Sequence, residues 1–293
     1  MENNPSPIHN RAIVFVHYDK HDLIDDYVYF YLDALREVSS YLIFVSTAEL
    51  GDTDRTRVSE VCDDVVVREN IGYDFMSYKV GLDSFDPTQY DEVVICNDSV
   101  YGPFYPIEKM FQSMQKTACD FWGVTDSTDK SYHLQSYFIV FRKSVLQSDA
   151  FRRFWKGVKV LHDKDTIIRQ YEVGLTTHLI NNGFKAAVLN SVKASNLKLL
   201  LFYMKKLTPL KIGKKLVAMV MGKKILIGPG KVNPTHQLWK ELLLGKKMPF
   251  IKIELLRDNP IKIDIEDYEE VIHKVSDYDT SLITAHLARM KVA

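Results

Sequence analysis

The chain has 293 residues, of which 46% are hydrophobic and 26% charged, and its 38 basic residues balance 38 acidic ones. These proportions are typical of a globular protein with room for one large domain, or for one domain with a further region. No apolar run approaches the roughly 18 residues of a membrane span, and residues 1–10 lack the apolar core of a signal peptide. We therefore expect a globular protein with a flexible N-terminus and no nucleic-acid partner.

The cysteine pattern argues against disulfides and zinc. Cys62, Cys96 and Cys119 show no C-x-x-C spacing, and two of them lie in apolar runs. A reducing cytoplasm is the expected location.

Strand-like and helix-like patterns alternate through the first half of the chain. Apolar β-rich runs occupy residues 11–18, 41–48, 64–69, 92–98 and 120–125. Apolar residues at helical spacing lie at 23–38 and follow from about Asp74 and about Pro106. This alternation predicts an α/β fold with a mainly parallel sheet, helices on its faces and a ligand crevice at the carboxyl ends of the strands.

The alternation ends after Thr125. An extended run at residues 136–146 is followed by helical patterns at 149–158 and 166–183 and by a short strand at 184–189. We assign residues 11–190 to one nucleotide-binding and catalytic domain. Residues 191–293 are assigned to a helical C-terminal region, basic at its start, that packs on this domain.

A basic segment opens the C-terminal region. No Asp or Glu occurs from Val173 to Lys240, and ten lysines lie between Lys193 and Lys231 among many Leu and Met residues. This pattern predicts amphipathic helices whose lysines face either water alone or the anionic inner face of the plasma membrane.

One strand-like run ends in three small polar residues, Asn97, Asp98 and Ser99. Because the carboxyl ends of strands in α/β folds are where ligands bind, these side chains are candidates for ligand contacts. The Gly-rich phosphate loops, the G-x-S-x-G elbow and the H-E-x-x-H zinc motif are all absent from the sequence. A nucleotide, if bound, is held in another way.

This layout resembles the GT-A glycosyltransferases. In that fold an acid at a strand end faces the donor diphosphate, often through a divalent cation, and a later carboxylate deprotonates the acceptor hydroxyl. The resemblance gives these roles to Asp98 and Glu172. Asp98 stands alone where metal-dependent members have D-x-D, so a requirement for Mg²⁺ or Mn²⁺ held by Asp98 stays open. Glu172 has an alternative role as a first-turn carboxylate that the helix dipole favours.

Several blocks resemble the rhamnan synthesis F family of bacterial polysaccharide glycosyltransferases. They run in the family's order from about Ile13 to Pro260 and include "RENIGYDFMSYKVGL", "NDSVYGPFYPIEKMF", "HLQSYFIVFRKSV", "YEVGLTTHLINNGFKA" and "NPTHQLWKELLLGKKMPFIKIELLRDNP". The resemblance implies an inverting hexosyltransferase, favoured as a rhamnosyltransferase that uses dTDP-L-rhamnose. Its implied acceptor is a cell-surface glycan such as O-antigen or a wall polymer, carried on a lipid diphosphate at the cytoplasmic leaflet.

Further candidate residues fall into three groups. Donor contacts are expected from the residues at the predicted strand ends and turns, which are His17, Asp19, Asn70, Gly72, Asp74, Asn97, Asp98 and Ser99. Contacts to the donor or acceptor sugar are expected from Trp122, His133 and Gln135. The family resemblance alone adds diphosphate or acceptor contacts from Asn233, Thr235, Trp239, Lys252 and Arg257.

Alternatives stay open at the sequence level. The Asn70, Gly72 and Asp74 group also suits a simple turn with a helix N-cap, and His17 and Asp19 also suit a loop. The same fold could use UDP-galactose or a UDP-hexosamine, or it could bind polysaccharide or scaffold a synthesis complex without turnover. The favoured dTDP-L-rhamnose rests on the family resemblance, and no single residue of the sequence specifies the nucleotide base, the sugar, the linkage or the oligomeric state.

Overall fold

The structure is a computed structural model that describes residues 10–128, 130–191 and 233–292. The predicted flexible N-terminus, apart from Asn10, and the basic segment between Lys193 and Lys231 lie outside the described residues. The predictions for these two segments therefore stay predictions.

A seven-stranded sheet forms the centre of the protein, in the order β10-β6-β9-β4-β1-β2-β3. Its neighbouring strands are parallel except at β9, which is antiparallel to both β4 and β6. Two short antiparallel pairs, β5 with β11 and β7 with β8, lie beside it. The strands are β1 Arg11–His17, β2 Tyr41–Ser46, β3 Asp64–Val67, β4 Glu92–Asn97, β5 Val100–Tyr101, β6 Phe121–Gly123, β7 Asp126–Ser127, β8 His133–Leu134, β9 Phe138–Arg142, β10 Ala186–Val188 and β11 Ile251–Lys252.

Helices fill the connections between these strands. Among the described residues, none is long and apolar enough to span a bilayer. The helices before the undescribed segment are α1 Asp26–Arg36, α2 Asp52–Val61, α3 Tyr73–Asp83, α4 Ile107–Gln115, α5 Lys143–Leu146, α6 Asp149–Gly157, α7 Lys164–Ile167 and α8 Val173–Asn181, with a 3₁₀ turn at Pro87–Gln89 and a π-helical turn at Ile168–Glu172. Those after it are Pro234–Gln237, Trp239–Lys246, Ile253–Asp258, Tyr268–His273 and Ser281–Val292.

Apolar side chains cover both faces of the sheet. In β1, for example, Ile13 and Phe15 pack on one side with α1, α4 and the C-terminal helices. Ala12, Val14 and Val16 pack on the other side with α3, α6 and α8. Burial on both faces explains why the strands read as continuous apolar runs rather than alternating ones. The predicted α/β class, with a mainly parallel sheet flanked by helices, is confirmed.

The sequence did not predict α2. Only Val58 of this helix is buried, and the remaining residues are mostly Asp, Arg, Thr and Ser, so no apolar periodicity marks it. The extended run predicted at residues 136–146 was wrong at its end, because Lys143–Leu146 form the helix α5.

The C-terminal region returns to the centre of the sheet. Strand β11 pairs with β5, with Ile251 opposite Tyr101 and Lys252 opposite Val100. The Ile253 N–H donates to the Ser99 carbonyl over 3.1 Å. Residues that are distant in sequence therefore lie next to the end of β4.

Candidate active site

Asp98 lies where the carboxyl ends of two adjacent parallel strands meet. Strands β1 and β4 pair in register, with Val16 opposite Asn97. The Asp98 N–H donates to the Val16 carbonyl over 3.2 Å, and one oxygen of its carboxylate accepts from the Tyr18 N–H over 2.9 Å. The hydroxyl of Tyr27 donates to the Asp98 carbonyl over 3.2 Å. These bonds fix the position of the carboxylate at the edge of the sheet.

The environment of Asp98 disfavours its charge. Burial raises the pKa of Asp98 well above its ordinary value, the carboxylates of Asp74 and Asp19 raise it further, and the Tyr18 N–H lowers it. His17 lies 3.9 Å from the same carboxylate. However, burial lowers the pKa of His17 to about 4, so the imidazole is neutral at pH 7 and the two groups form no ion pair there.

Asp74 lies in the first turn of α3 and joins the same cluster. Its Oδ2 accepts from the amide of Asn97 over 2.9 Å, while Asn97 Oδ1 accepts from the Ser99 hydroxyl over 2.7 Å. Burial raises the pKa of Asp74 and the charge of Glu172 raises it further, whereas the bond from Asn97 lowers it. Gly72 occupies the N-cap position of α3, so Asp74 is not the cap. The cap alternative therefore does not account for its carboxylate.

Glu172 approaches the cluster from another helix. Its Oε1 accepts from the Ser136 N–H over 2.9 Å and from the Ser136 hydroxyl over 2.8 Å. Among the described residues, its second oxygen has no hydrogen-bond partner. Glu172 is thus held by one oxygen, while the other is available to accept a proton.

The sequence interpretation that Glu172 opens a helix is wrong. The helical path begins at Lys164, two turns earlier, and Glu172 ends the π-helical turn that joins α7 to α8. Helix-dipole stabilisation falls off beyond the first turn, so this alternative role for Glu172 loses its basis. Single π-helical turns are frequent at functional sites.

Lys252 brings a cation near Asp74 and Glu172. Its Nζ lies 3.8 Å from the centre of the Tyr137 ring. Burial lowers the pKa of Lys252 to about 8, although the charges of Glu172, Glu254 and Asp74 raise it. No described carboxylate forms an ion pair with Lys252. We call Asp74, Asp98, Glu172 and Lys252 the cleft cluster.

Two adjoining cavities open near the carboxyl ends of β1, β2 and β3, and Asp74 of the cleft cluster lines the first of them. The first has a volume of about 350 Å³ and the second about 560 Å³, and they share Tyr18, Thr47 and Asn70. The first is also lined by Val16, His17, Ile71, Gly72, Tyr73, Asp74, Ser77, Leu161 and His162. The second is also lined by Asp19, Lys20, Asp22, Glu49, Val67, Arg68 and Glu69. We call these two cavities, which share three lining residues, the groove.

A second acidic cluster lies on the β1–α1 connection, and an arginine neutralises it. The guanidinium of Arg289 bonds the carboxylates of both Asp19 and Asp25, and His286 lies 3.9 Å from Asp25. Burial raises the pKa of Asp19, but bonds from Arg289 and the His21 N–H outweigh it, and the net direction is down. We call Asp19, Asp25, His286 and Arg289 the Arg289 cluster.

The Arg289 cluster could also be considered as a metal site. Ligand atoms of Asp19, Asp25 and His286 lie within 4.8 Å of one another. Arg289 already supplies a positive charge to both carboxylates, so this group does not need a metal ion to balance it. Asp19 also accepts from the N–H groups of His21 and Leu23, which matches the loop role left open for it.

The three predicted sugar contacts, Trp122, His133 and Gln135, are buried in the structure. Trp122 is 0% exposed and packs edge-on against Phe111, which leaves its ring no face for a sugar. The side chain of Gln135 accepts from the Thr125 hydroxyl over 2.7 Å, and His133 contacts the Ser131 carbonyl over 2.8 Å. These three side chains therefore have partners within the fold.

Of the five distal candidates, the structure brings Lys252 into the cleft cluster. Asn233 accepts from the Thr235 N–H and hydroxyl, as expected where a helix starts. Trp239 is buried, and Arg257 pairs with the neighbouring Asp258. Sequence reasoning missed the role of Ser136 as the residue that holds Glu172, because nothing in the pattern links positions 36 residues apart.

A family model and several curated proteins match this chain. The model of the family described as rhamnan synthesis protein F matches residues 42–215, a range that includes Asp74, Asp98 and Glu172. The virulence protein VirA of Vibrio anguillarum is 32% identical over 247 residues, which cover 82% of this chain and 75% of that protein. The uncharacterized protein y4gN of Sinorhizobium fredii is 27% identical over 184 residues, which cover 61% of this chain and 48% of that protein.

Solved structures show only distant likeness. The 4-diphosphocytidyl-2C-methyl-D-erythritol synthase of Anaerococcus prevotii matches 64% of this chain and 89% of its own, with 12% identity and a TM-score of 0.41. HddC of Yersinia pseudotuberculosis matches 60% of this chain and 89% of its own, with 9% identity and a TM-score of 0.34. At these scores neither likeness bears on the function of the chain.

Proposed function

We propose that this chain, which belongs to the rhamnan synthesis protein F family, is an inverting glycosyltransferase with Glu172 as its catalytic base. Family membership supports a glycosyltransferase. The inverting mechanism, the donor and the acceptor are our proposals. The observation that carries the mechanism is the carboxylate of Glu172, which Ser136 holds by one oxygen and whose charge acts on Asp74, a residue that lines the first cavity.

The reaction is a single in-line displacement at the anomeric carbon of the donor. The acceptor oxygen forms a bond to that carbon as its proton passes to the second oxygen of Glu172. The bond from the anomeric carbon to the diphosphate oxygen breaks, and the nucleoside diphosphate leaves with the bonding electrons. Attack from the opposite face inverts the configuration at that carbon.

The leaving diphosphate needs positive charge, and the cleft cluster supplies little. It contains three carboxylates and one ammonium group, Lys252, whose pKa is about 8. The diphosphate of the donor is an anion, and Asp74 and Asp98 would repel it if both were ionised. Mg²⁺ and Mn²⁺ prefer oxygen ligands, and Mg²⁺ is often bound by one or two carboxylates together with substrate phosphates. Asp98 and Asp74 fit that mode, and a bound cation would supply charge to the diphosphate.

The favoured donor is dTDP-L-rhamnose, and the favoured acceptor is a glycan on a lipid diphosphate. The family's description as a rhamnan synthesis protein supports rhamnose. The ten lysines between Lys193 and Lys231 support contact with anionic lipid, since each contributes ~1 kcal/mol near a charged surface. Co-sedimentation with anionic vesicles at low salt, but not with neutral vesicles, is the expected result. Equal binding to both kinds of vesicle would contradict it.

A panel of nucleotide sugars tests the proposal most directly. A donor at 100 times its dissociation constant adds about 2.7 kcal/mol to the free energy of unfolding, so the melting temperature rises measurably. We expect dTDP-L-rhamnose to give the largest rise, and chelation of divalent cations to remove it. A larger rise with UDP-galactose or a UDP-hexosamine would reassign the donor. No response to any member of the panel would point to a non-catalytic module.

A further inference from the structure

The turn between β3 and α3 contains two consecutive residues with positive φ. Gly72 has φ +77° and Tyr73 has φ +54°. A Cβ on Gly72 would lie 2.9 Å from Met76 Cβ, so glycine suits that position. A tyrosine with positive φ is different, because the left-handed region is a genuine outlier for a bulky residue. Outliers of this kind cluster at ligand sites, where the surrounding structure maintains them.

Packing does not explain the conformation of Tyr73. Its side chain is 45% exposed. Within the part of the chain that the structure describes, its hydroxyl has no hydrogen-bond partner and its ring has no aromatic neighbour. Tyr18 is similarly exposed, at 52%, and lines the same cavity. Two large aromatic side chains therefore line one groove without using their rings inside the fold.

Tyr73 is the chain neighbour of a member of the cleft cluster. It directly precedes Asp74, whose carboxylate bonds Asn97 at the end of β4. Asp74, His162 and Tyr18 line the same cavity as Tyr73. Asp74 lines this cavity and is close enough to Glu172 for the charge of Glu172 to raise its pKa, so the cavity offers room for the rest of a donor whose anomeric carbon faces Glu172. A ring of that donor would then meet exposed aromatic faces.

We infer that the ring of Tyr73 is a stacking platform for a ring of the nucleotide-sugar donor. The inference rests on the proposed function. Both a nucleobase and the apolar face of a sugar present a flat surface that suits a tyrosine ring. Tyr73 and Asp74 are neighbours in one turn, and the left-handed backbone at Tyr73 fixes the conformation of this turn. The tyrosine ring and the Asp74 carboxylate therefore keep a fixed relative position.

Titration calorimetry on substituted proteins tests the inference. We expect Tyr73→Ala and Tyr73→Gly to weaken binding of the preferred nucleotide sugar by roughly 10-fold or more, in the range found when stacking on an aromatic is removed. Tyr73→Phe keeps the ring and should bind within about twofold of wild type. Tyr73→Gly should melt at a higher temperature than Tyr73→Ala, because glycine accepts the positive φ.

The nucleoside diphosphate alone identifies the ring that stacks. If Tyr73→Ala weakens the diphosphate and the nucleotide sugar equally, the nucleobase lies on Tyr73. If it weakens only the nucleotide sugar, the sugar ring lies there. Unchanged affinity of Tyr73→Ala and Tyr73→Gly for a donor that wild type binds would overturn this inference alone. Failure of wild type to bind any nucleotide sugar would overturn the proposed function and this inference with it.

Discussion

The cleft cluster and the Arg289 cluster both place acids near the end of β1, but they differ in how the acids are satisfied. In the Arg289 cluster, Arg289 bonds both carboxylates and lowers the pKa of Asp19. In the cleft cluster, the pKa values of Asp74 and Asp98 are raised, and Lys252 forms no ion pair with a described residue. A paired carboxylate stabilises the fold, whereas a buried one with a raised pKa costs stability and points to a function.

Among substitutions in the cleft cluster, we expect that of Glu172 to have the largest effect, a loss of turnover. Glu172→Gln keeps the shape and the bonds from Ser136 but cannot accept a proton. We expect turnover to fall by roughly 10²–10⁴-fold, with the melting temperature and donor affinity nearly unchanged, as measured by steady-state kinetics and calorimetry. Glu108→Gln is the matched control, since Glu108 is a genuine first-turn glutamate of α4. Turnover of Glu172→Gln above about a tenth of wild type would remove Glu172 as the base.

Substitution of Asp98 tests whether a buried carboxyl group of the cleft cluster lowers the stability of the fold. Asp98→Asn removes a carboxyl group whose pKa is raised, so its contribution to stability is present at low pH and is lost as pH rises through the folded-state pKa. The variant should therefore melt at a higher temperature than wild type at pH 8, with a smaller difference at pH 4. Donor affinity in Mn²⁺ should fall by roughly 10–100-fold. A variant that binds donor normally, with the same response to Mn²⁺, would show that Asp98 is not a donor ligand.

The Arg289 cluster should behave in the opposite way. Arg289→Gln leaves two partly buried carboxylates without their partner and should lower the free energy of unfolding by about 1–3 kcal/mol. Because the pKa of Asp19 is depressed, its stabilising contribution is present above its unfolded pKa and is lost as pH falls. Chemical denaturation should show the wild-type advantage shrinking below about pH 4. An advantage that persists at low pH would mean that charge pairing is not its source.

Lys252 is expected to give a smaller effect that depends on pH. If its ammonium contacts the diphosphate, donor affinity should fall as pH rises through about 8, whereas Lys252→Arg should hold its affinity to higher pH. Stability should move the other way, because the unfolded chain retains this proton up to about pH 10 and the folded protein does not. Titrations between pH 7 and 10 measure both trends. Equal pH profiles for wild type and Lys252→Arg would exclude this role.

Most of the fold could be predicted from the sequence because the strands of the sheet are buried on both faces. Runs such as residues 11–18 and 41–48 are mostly apolar, and they became β1 and β2 within one or two residues. The helix α2 left no signal because only Val58 is buried. The antiparallel direction of β9 was also hidden, since a run of apolar residues does not reveal which way a strand runs.

The candidate site was predictable where local sequence marks a strand end. Asp98 follows β4 directly, and Asp74 follows the glycine of a turn, so both could be named without a structure. Trp122 was misplaced because an aromatic beside a glycine reads the same in a core as in a groove. The bond from Ser136 to Glu172 and the exposed ring of Tyr73 depend on tertiary packing and on a backbone angle, which composition and spacing do not encode.

The pairing of β11 with β5 has a consequence for how the protein is made. Val100 and Lys252 lie about 150 positions apart, so this contact forms only after most of the chain has left the ribosome. Contacts of such long sequence separation also slow folding. A nascent chain can therefore assemble β1 to β4 with Asp98 in place while it still lacks Lys252. Premature termination before Ile251 should yield a polypeptide that retains the central sheet without a complete cleft cluster.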